Sequence, residues 1–397
     1  MGANSKFCLA SNYHYTVLPL LEPDEGLITV YSISMKKYFF CLGLFLSLGC
    51  LTLSGQKLDF TSSTKPKENP IIKADSSFTF ICPIKKEPVR WQKADVFNPA
   101  AIVRDDKVYL LFRSEDNPAA WLGGRTSRIG LAYSNDGIHF TKHPTPVLFP
   151  DSSRFMQYDY PGGCEDPRIV ETEDGTYVLA YTSWNHKVAR LTIAFSKDLI
   201  HWEKKGLAFE KTYDGKFFNT WSKSGSMVTK ILNGRQVVAK INGKYWMYWG
   251  EHFINLAWST NLVDWNPILN EKEELKVIVS KRKNKFDSFL TECGPPALVT
   301  ENGIVLLYNG KNTEGEDADS TLPKGTYSVG KLVFDSKDLE KIIYRSDTCL
   351  LKPTLPHEVS GQYTSGTTFA EGLVNFKNQW FLYYGTADSY VGVAILK

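Results

Sequence analysis

Charge of one sign is not in excess. The 397 residues carry 46 Lys and Arg against 43 Asp and Glu, a formal net charge of +3. Nucleic-acid binding normally rests on a strongly basic face, so no nucleic-acid partner is expected. Cysteine is sparse. There are seven, with no Cys-x-x-Cys pair, and Cys82, Cys164, Cys293 and Cys349 are widely and irregularly spaced. A zinc site needs clustered thiolates or imidazoles, and His139, His201 and His252 are equally scattered. No metal and no cofactor is expected. An exported chain could join two of the four later cysteines, and spacing does not select the pair. Apolar residues at helical spacing are almost absent, which argues against a helical fold.

Long apolar runs are lacking as well, apart from Tyr38 to Leu53, which directly follows Met35-Lys36-Lys37. A membrane helix needs about 20 apolar residues, and this run is shorter. A basic start and a short apolar stretch are the pattern of an export signal. Residues 35–55 are therefore expected to be a signal peptide, with Met35 as the start and 1–34 as an upstream mis-start or unstructured. Ser47-Leu48-Gly49-Cys50 resembles a bacterial lipoprotein box, with Ser47 where that pattern prefers Leu. Cys50 would then carry a lipid anchor, the only expected membrane contact. Residues 56–90 would form a tether and lead-in strand, and 91–397 the folded domain. The expected location is periplasmic or at the cell surface.

What is abundant is repetition. Aromatics make up 13% of the chain, and they fall in recurring strands. Asn98-Pro99-Ala100-Ala101-Ile102-Val103, a turn at Asp105-Asp106 and Val108-Tyr109-Leu110-Leu111-Phe112 form one unit. Glu165-Asp166-Pro167-Arg168-Ile169-Val170, Asp174-Gly175 and Tyr177-Val178-Leu179-Ala180-Tyr181 form the second. The third runs from Ser224-Gly225-Ser226 through Asn242-Gly243 to Tyr245-Trp246-Met247-Tyr248-Trp249. The fourth runs from Gly294-Pro295-Pro296 through Asn302-Gly303 to Ile304-Val305-Leu306-Leu307-Tyr308, and the fifth from Gly366 through Lys377-Asn378 to Trp380-Phe381-Leu382-Tyr383-Tyr384. A further strand follows each, as in Leu191 to Ser196 and Val391 to Leu396. Five units of four short strands predict an all-β fold, a five-bladed β-propeller.

In a propeller the heads of the units converge on one funnel. Here those heads hold Asn98, Glu165-Asp166, Lys223, Glu292-Cys293 and Thr364-Ser365. The strand ends add Arg113, Glu115, Asp116, Glu251 and Asn309, and the closing hairpin adds Asp388. Several carboxylates in one funnel are the raw material of general acid/base chemistry. Trp121, in a loop beside Gly123-Gly124, could stack on a sugar or pack against the fold.

Gly163-Cys164-Glu165-Asp166-Pro167-Arg168, Leu110 to Asp116, Gly243 to Glu251 and Gly294-Pro295-Pro296 together resemble glycoside hydrolase family 130. That family contains β-mannoside phosphorylases and β-1,2-mannosidases. The resemblance implies that Asp166 is the general acid, acting through a substrate hydroxyl. It implies that Asn98, Arg113 and Asp388 hold the sugar, and Asp116, Arg128, Arg168, Lys223, Tyr308 and Asn309 complete the expected binding set. The family's phosphorylases carry Tyr-His-Gly where this chain has Tyr308-Asn309-Gly310, and small residues where it has Glu292. Those departures favour water as nucleophile, with Glu251 or Glu292 as base. The expected activity is inverting hydrolysis of β-mannosides, with β-1,2-linked mannose as substrate. Two alternatives stand beside it. One is a phosphorylase that holds phosphate with Lys223, Lys240, Arg128 and Arg168; export argues against it, because a sugar phosphate is useful inside the cell. The other is a silent sugar-binding propeller, which would need no acid and base.

Overall fold

Residue pairs drawn mostly from Asp, Asn and Gly, set between apolar runs, close the hairpins of this chain. Asp105 and Asp106, Asn242 and Gly243, and Lys377 and Asn378 all have positive φ. Two consecutive left-handed residues make the two-residue turn whose twist suits flanking strands. The fold is that of a computed structural model describing residues 60–120 and 124–397. The expected signal segment 35–55, Cys50 and Trp121 lie outside the described residues.

The described chain is nearly all β. One four-residue helix, Met156–Asp159, and two short 3-10 turns are its helical parts. No helix among the described residues is long and apolar enough to cross a membrane. The strands pair antiparallel in five groups. The first is Asp95–Arg104, Lys107–Glu115, Ser127–Ser134 and Thr141–Lys142. The second is Gly163–Glu171, Tyr177–Trp184, Ala189–Ser196 and Glu203–Leu207. In the third, Ser226–Leu232, Lys244–Trp249, Asn255–Ser259 and Asn266–Pro267 follow in order. In the fourth, Leu290–Cys293 and Ala297–Thr300 both pair with Gly303–Lys311, followed by Tyr327–Phe334 and Ile342–Arg345.

The fifth group closes differently. Phe369–Phe376, Gln379–Thr386 and Tyr390–Leu396 pair in order, and the last strand then pairs with Ser63–Thr64 from the other end of the chain. A second departure from the simple repeat lies in the third unit. Ser226–Leu232 leaves Lys244–Trp249 after two residues and forms a hairpin with Arg235–Val238. Asn233-Gly234, both at positive φ, is the turn that makes this possible.

Each apolar core is shared by consecutive groups. Ile102, Leu111 and Ile129 meet Ile169, Leu179 and Tyr181. Val178 and Leu191 meet Met227, Met247 and Trp249. Val228 and Tyr248 meet Leu306 and Phe334. Val305 and Leu307 meet Leu373, Leu382 and Tyr384. Val374, Phe381 and Tyr383 then meet Val96, Leu110 and Phe112 of the first group. One face of each sheet thus covers the next, as alternating strands require. The cysteines Cys82, Cys164, Cys293 and Cys349 are all free thiols, so no disulfide joins them.

Candidate functional site

Three first strands share a defect at the same place. Register shifts fall between Phe97 and Pro99, between Glu165 and Arg168, and between Ala370 and Gly372. A bulge of this kind re-aims the side chain it carries. The bulged residues are Asn98, Asp166 and Glu371, and Asn98 and Asp166 sit at φ of 50° and 48°. Asn and Asp are the non-glycine residues that tolerate the left-handed region best. Asn98 and Asp166 each precede a proline that cannot donate to the ladder, so the sequence itself allows the break.

The Asp166 bulge meets Arg113, a buried guanidinium. Arg113 contacts Glu115 at 2.8 Å, Glu165 at 2.9 Å and Asp166 at 3.2 Å. Its Nε donates to Ser127 Oγ at 3.0 Å, and that hydroxyl donates to Glu165 at 3.1 Å. Asn98 Nδ2 donates to Asp166 Oδ1 at 2.9 Å, while Asn98 Oδ1 is buried without a hydrogen-bond partner among the described residues. Lys223 Nζ lies 3.4 Å from Asp166 Oδ2. Glu115 is in turn held by Arg125 at 2.9 Å, and Arg125 also pairs with Asp95.

Two more carboxylates act on Lys223 electrostatically, Glu251 and Glu292. Glu292 accepts from Ser224 Oγ, and Glu251 accepts from Trp221 Nε1 at 2.7 Å. Arg168 pairs with Glu371 at 3.0 Å and donates to the Cys293 and Gly294 carbonyls at 2.8 and 3.3 Å. Gly294 has to be glycine, because a Cβ there would sit 2.5 Å from the Leu307 carbonyl oxygen. Asp388 is carried by the closing turn, where Ala387 and Asp388 both have positive φ.

The carboxylates outnumber the cations, and their proton affinities separate. Burial would raise Asp166, but Arg113, Lys223 and Arg168, together with the Asn98 amide, outweigh it and hold its carboxyl below the usual range. Burial pushes Glu165 up to about 7 against the pull of Arg113. Burial and then the Glu251 charge push Glu292 up to about 7. Burial raises Asp388 to about 6, and Glu371 well above its ordinary value. Lys223 resists its own burial because Glu251, Asp166, Glu292 and Glu165 all favour its charge. Such a site can hold a charged carboxylate and protonated ones within one pocket, which is what proton transfer requires.

The comparisons with known proteins place this arrangement. Residues 62–397 match the sequence model of a family described as beta-1,4-mannooligosaccharide phosphorylase, glycoside hydrolase family 130. The chain belongs to family 130. It is 30% identical over 311 residues to a 1,2-beta-oligomannan phosphorylase from Thermoanaerobacter sp. (strain X514), covering 77% of this chain and 91% of that one. It is 47% identical, with a TM-score of 0.83, to a glycosyl hydrolase from Bacteroides ovatus, covering 86% and 96%. A further structure at 47% identity has a TM-score of 0.84 and covers 85% and 94%. It is described as showing that the GH130 family of mannoside phosphorylases contains glycoside hydrolases that target beta-1,2 mannosidic linkages in Candida mannan.

Within this family 130 chain, Asn98, Arg113, Asp166 and Lys223 meet directly. Arg113 and Lys223 also act electrostatically on Asp388, and Glu251 and Glu292 act on Lys223. Other expected residues are engaged elsewhere. Arg128 pairs with Asp116 at 2.9 Å and lies over the Phe80 ring. Asn309 exchanges two hydrogen bonds with the Ala370 backbone, at 2.8 and 3.1 Å. Tyr308 donates to Asp287 at 2.6 Å, where Arg282 and Arg345 also bind. Consecutive strand residues point to opposite faces, so Tyr308 and Asn309 do not share a surface. The fifth unit supplies Glu371 at the bulge rather than Thr364-Ser365. Its signal was available: Ala370-Glu371-Gly372 holds the repeat position of Asn98-Pro99 and Asp166-Pro167.

Proposed function

We propose that this family 130 protein is an inverting β-mannoside hydrolase acting on β-1,2-linked mannose, built on a five-bladed propeller. The propeller reading is supported by the five cores shared in sequence order, the last returning to the first group. Asp166 is the acid, relaying its proton through a sugar hydroxyl, and Asn98, Arg113 and Asp388 hold that sugar. The Asn98 oxygen, without a hydrogen-bond partner among the described residues, supplies an acceptor for a hydroxyl. Among its cationic neighbours Asp166 is charged before the sugar binds. Acid catalysis therefore requires Asp166 to take up a proton in the sugar complex.

The observation that carries the choice of water over phosphate is the pair Glu251 and Glu292 beside Lys223. A phosphate dianion there would meet two carboxylates. Water would meet a base, and inversion needs acid and base roughly 6.5–9.5 Å apart with water between them. The greater identity to solved hydrolases than to the phosphorylase supports the same reading. Export through 35–55, with a lipid anchor at Cys50, fits an enzyme that meets its glycan outside the cell.

The deciding experiment supplies β-1,2-mannobiose with and without inorganic phosphate. Free mannose at equal rates in both, released first as the inverted anomer, is the expected result. Mannose 1-phosphate that appears only with phosphate would overturn the hydrolase reading.

A further inference from the structure

Trp221 is an exposed aromatic that is nonetheless held in place. Its relative exposure is 47%. The next residue is pinned on both sides. Ser222 donates its backbone N–H to the Ala189 carbonyl at 3.0 Å, and its hydroxyl accepts from the Leu191 N–H at 3.0 Å. The indole packs edge-on against Trp184, with ring centroids 5.6 Å apart. Trp184 has its own backing, since a Cβ on Gly162 would fall 2.2 Å from its ring.

The N–H of the Trp221 ring donates to Glu251 Oε2 at 2.7 Å. Among the described residues, that is the one hydrogen bond the Glu251 carboxylate makes with protein. Glu251 stands directly after Gly250, whose φ is 126° and where a Cβ would lie 2.3 Å from the Phe253 carbonyl oxygen. The backbone therefore starts Glu251 in a fixed direction, and the indole fixes its far end. A donor to one carboxylate oxygen leaves the other free to accept from water. An indole N–H is donor only, so it cannot compete for that water's proton.

We propose that Trp221 is a positioning residue for Glu251, holding Oε2 so that Oε1 faces the reacting water. This rests on the reading of Glu251 as part of the water-activating pair. Misplacement of a reacting group by about 1 Å can cost on the order of a hundredfold in rate, so the effect should appear in kcat.

The test measures kcat and KM on β-1,2-mannobiose for the wild type, Trp221→Phe, Trp221→Ala, Glu251→Gln and the Trp221→Phe/Glu251→Gln double variant. Trp221→Phe keeps a ring and removes the donor. The expected result is a kcat about tenfold lower or more, KM within about twofold, and a double variant no slower than Glu251→Gln alone. Trp221→Phe at the wild-type kcat, or additive losses in the double variant, would overturn the proposal. So would a loss confined to KM and seen only in Trp221→Ala, which would make the indole a sugar platform. Glu251→Gln at the wild-type rate would instead remove the base reading, and the role of Trp221 with it.

Discussion

Asp166 and Glu292 both act electrostatically on one lysine, Lys223, and are pushed in opposite directions. Asp166 is held ionised by Arg113, Lys223 and Arg168, and Glu292 is raised to about 7 by burial and Glu251. Asp166→Asn keeps the hydrogen bond from Asn98 within reach but removes the acid. We expect kcat to fall about 10²–10⁴-fold with sugar binding retained, measured by turnover and calorimetry. Glu292 carries two pH consequences. A base must be unprotonated, so kcat/KM is expected to fall as pH drops below about 7, where burial and the Glu251 charge have pushed Glu292. Its folded value also lies above its ordinary 4.5. The stability it contributes is therefore full below about pH 4.5 and is lost as pH rises through 7. Glu292→Gln removes that loss, and should stabilise the protein by on the order of 2 kcal/mol at pH 8 while turnover disappears. Denaturant melts at pH 5 and pH 8 check this, and an equal gain at both would refute it.

The bulged strands set which side chains reach the pocket. Asn98 depends on the neighbouring strand having no side chain at Gly385. A Cβ there would lie 2.0 Å from Asn98 Oδ1 and 2.9 Å from the Asn98 N. Gly385→Ala must therefore displace the Asn98 amide or the bulge that holds it. Overpacking of this kind costs about 1–3 kcal/mol. The expected outcome is a folded protein with kcat/KM at least about tenfold lower; unchanged kinetics would show that the bulge can shift without consequence. Glu371 held the matching repeat position in the sequence, but what it would contact was not legible there. Its neighbours Phe369 and Ala370 read as an ordinary strand, and the shift that turns Glu371 toward Arg168 arises from pairing with Tyr383 and Tyr384.

The ends of the described chain close on one another. Ser63 pairs with Leu396 and Thr64 with Ile395, while Phe60 packs edge-on against Trp380 at 5.5 Å. Asn69 bonds both ways with the Val393 backbone, at 2.8 Å each. This strand gives the last sheet its fourth member and covers an edge that would otherwise stay unpaired. A chain beginning at Lys65 should melt roughly 5 °C or more below one beginning at Gln56, and Phe60→Ala should cost about 3 kcal/mol. Equal melting temperatures would mean that the N-terminal strand adds nothing to closure.

Turns and strand alternation are local, and so the sequence was enough for them. Asp105-Asp106, Asn242-Gly243 and Lys377-Asn378 mark hairpins because few residues accept a positive φ. Five such units announced an all-β repeat, and the Glu165-Asp166-Pro167-Arg168 segment announced the family. The partnerships inside the pocket were not local. Arg113 gathers Glu165 and Asp166 from another sheet, and Arg168 reaches carbonyls more than a hundred positions away, at Cys293 and Gly294. Tyr308, which a sequence motif placed beside Asn309 as a ligand, turns instead to Asp287, Arg282 and Arg345. Trp221 gave no sequence signal at all. Which carboxylate holds a proton depends on the burial and the charges around it, and those exist once the sheets have packed against each other.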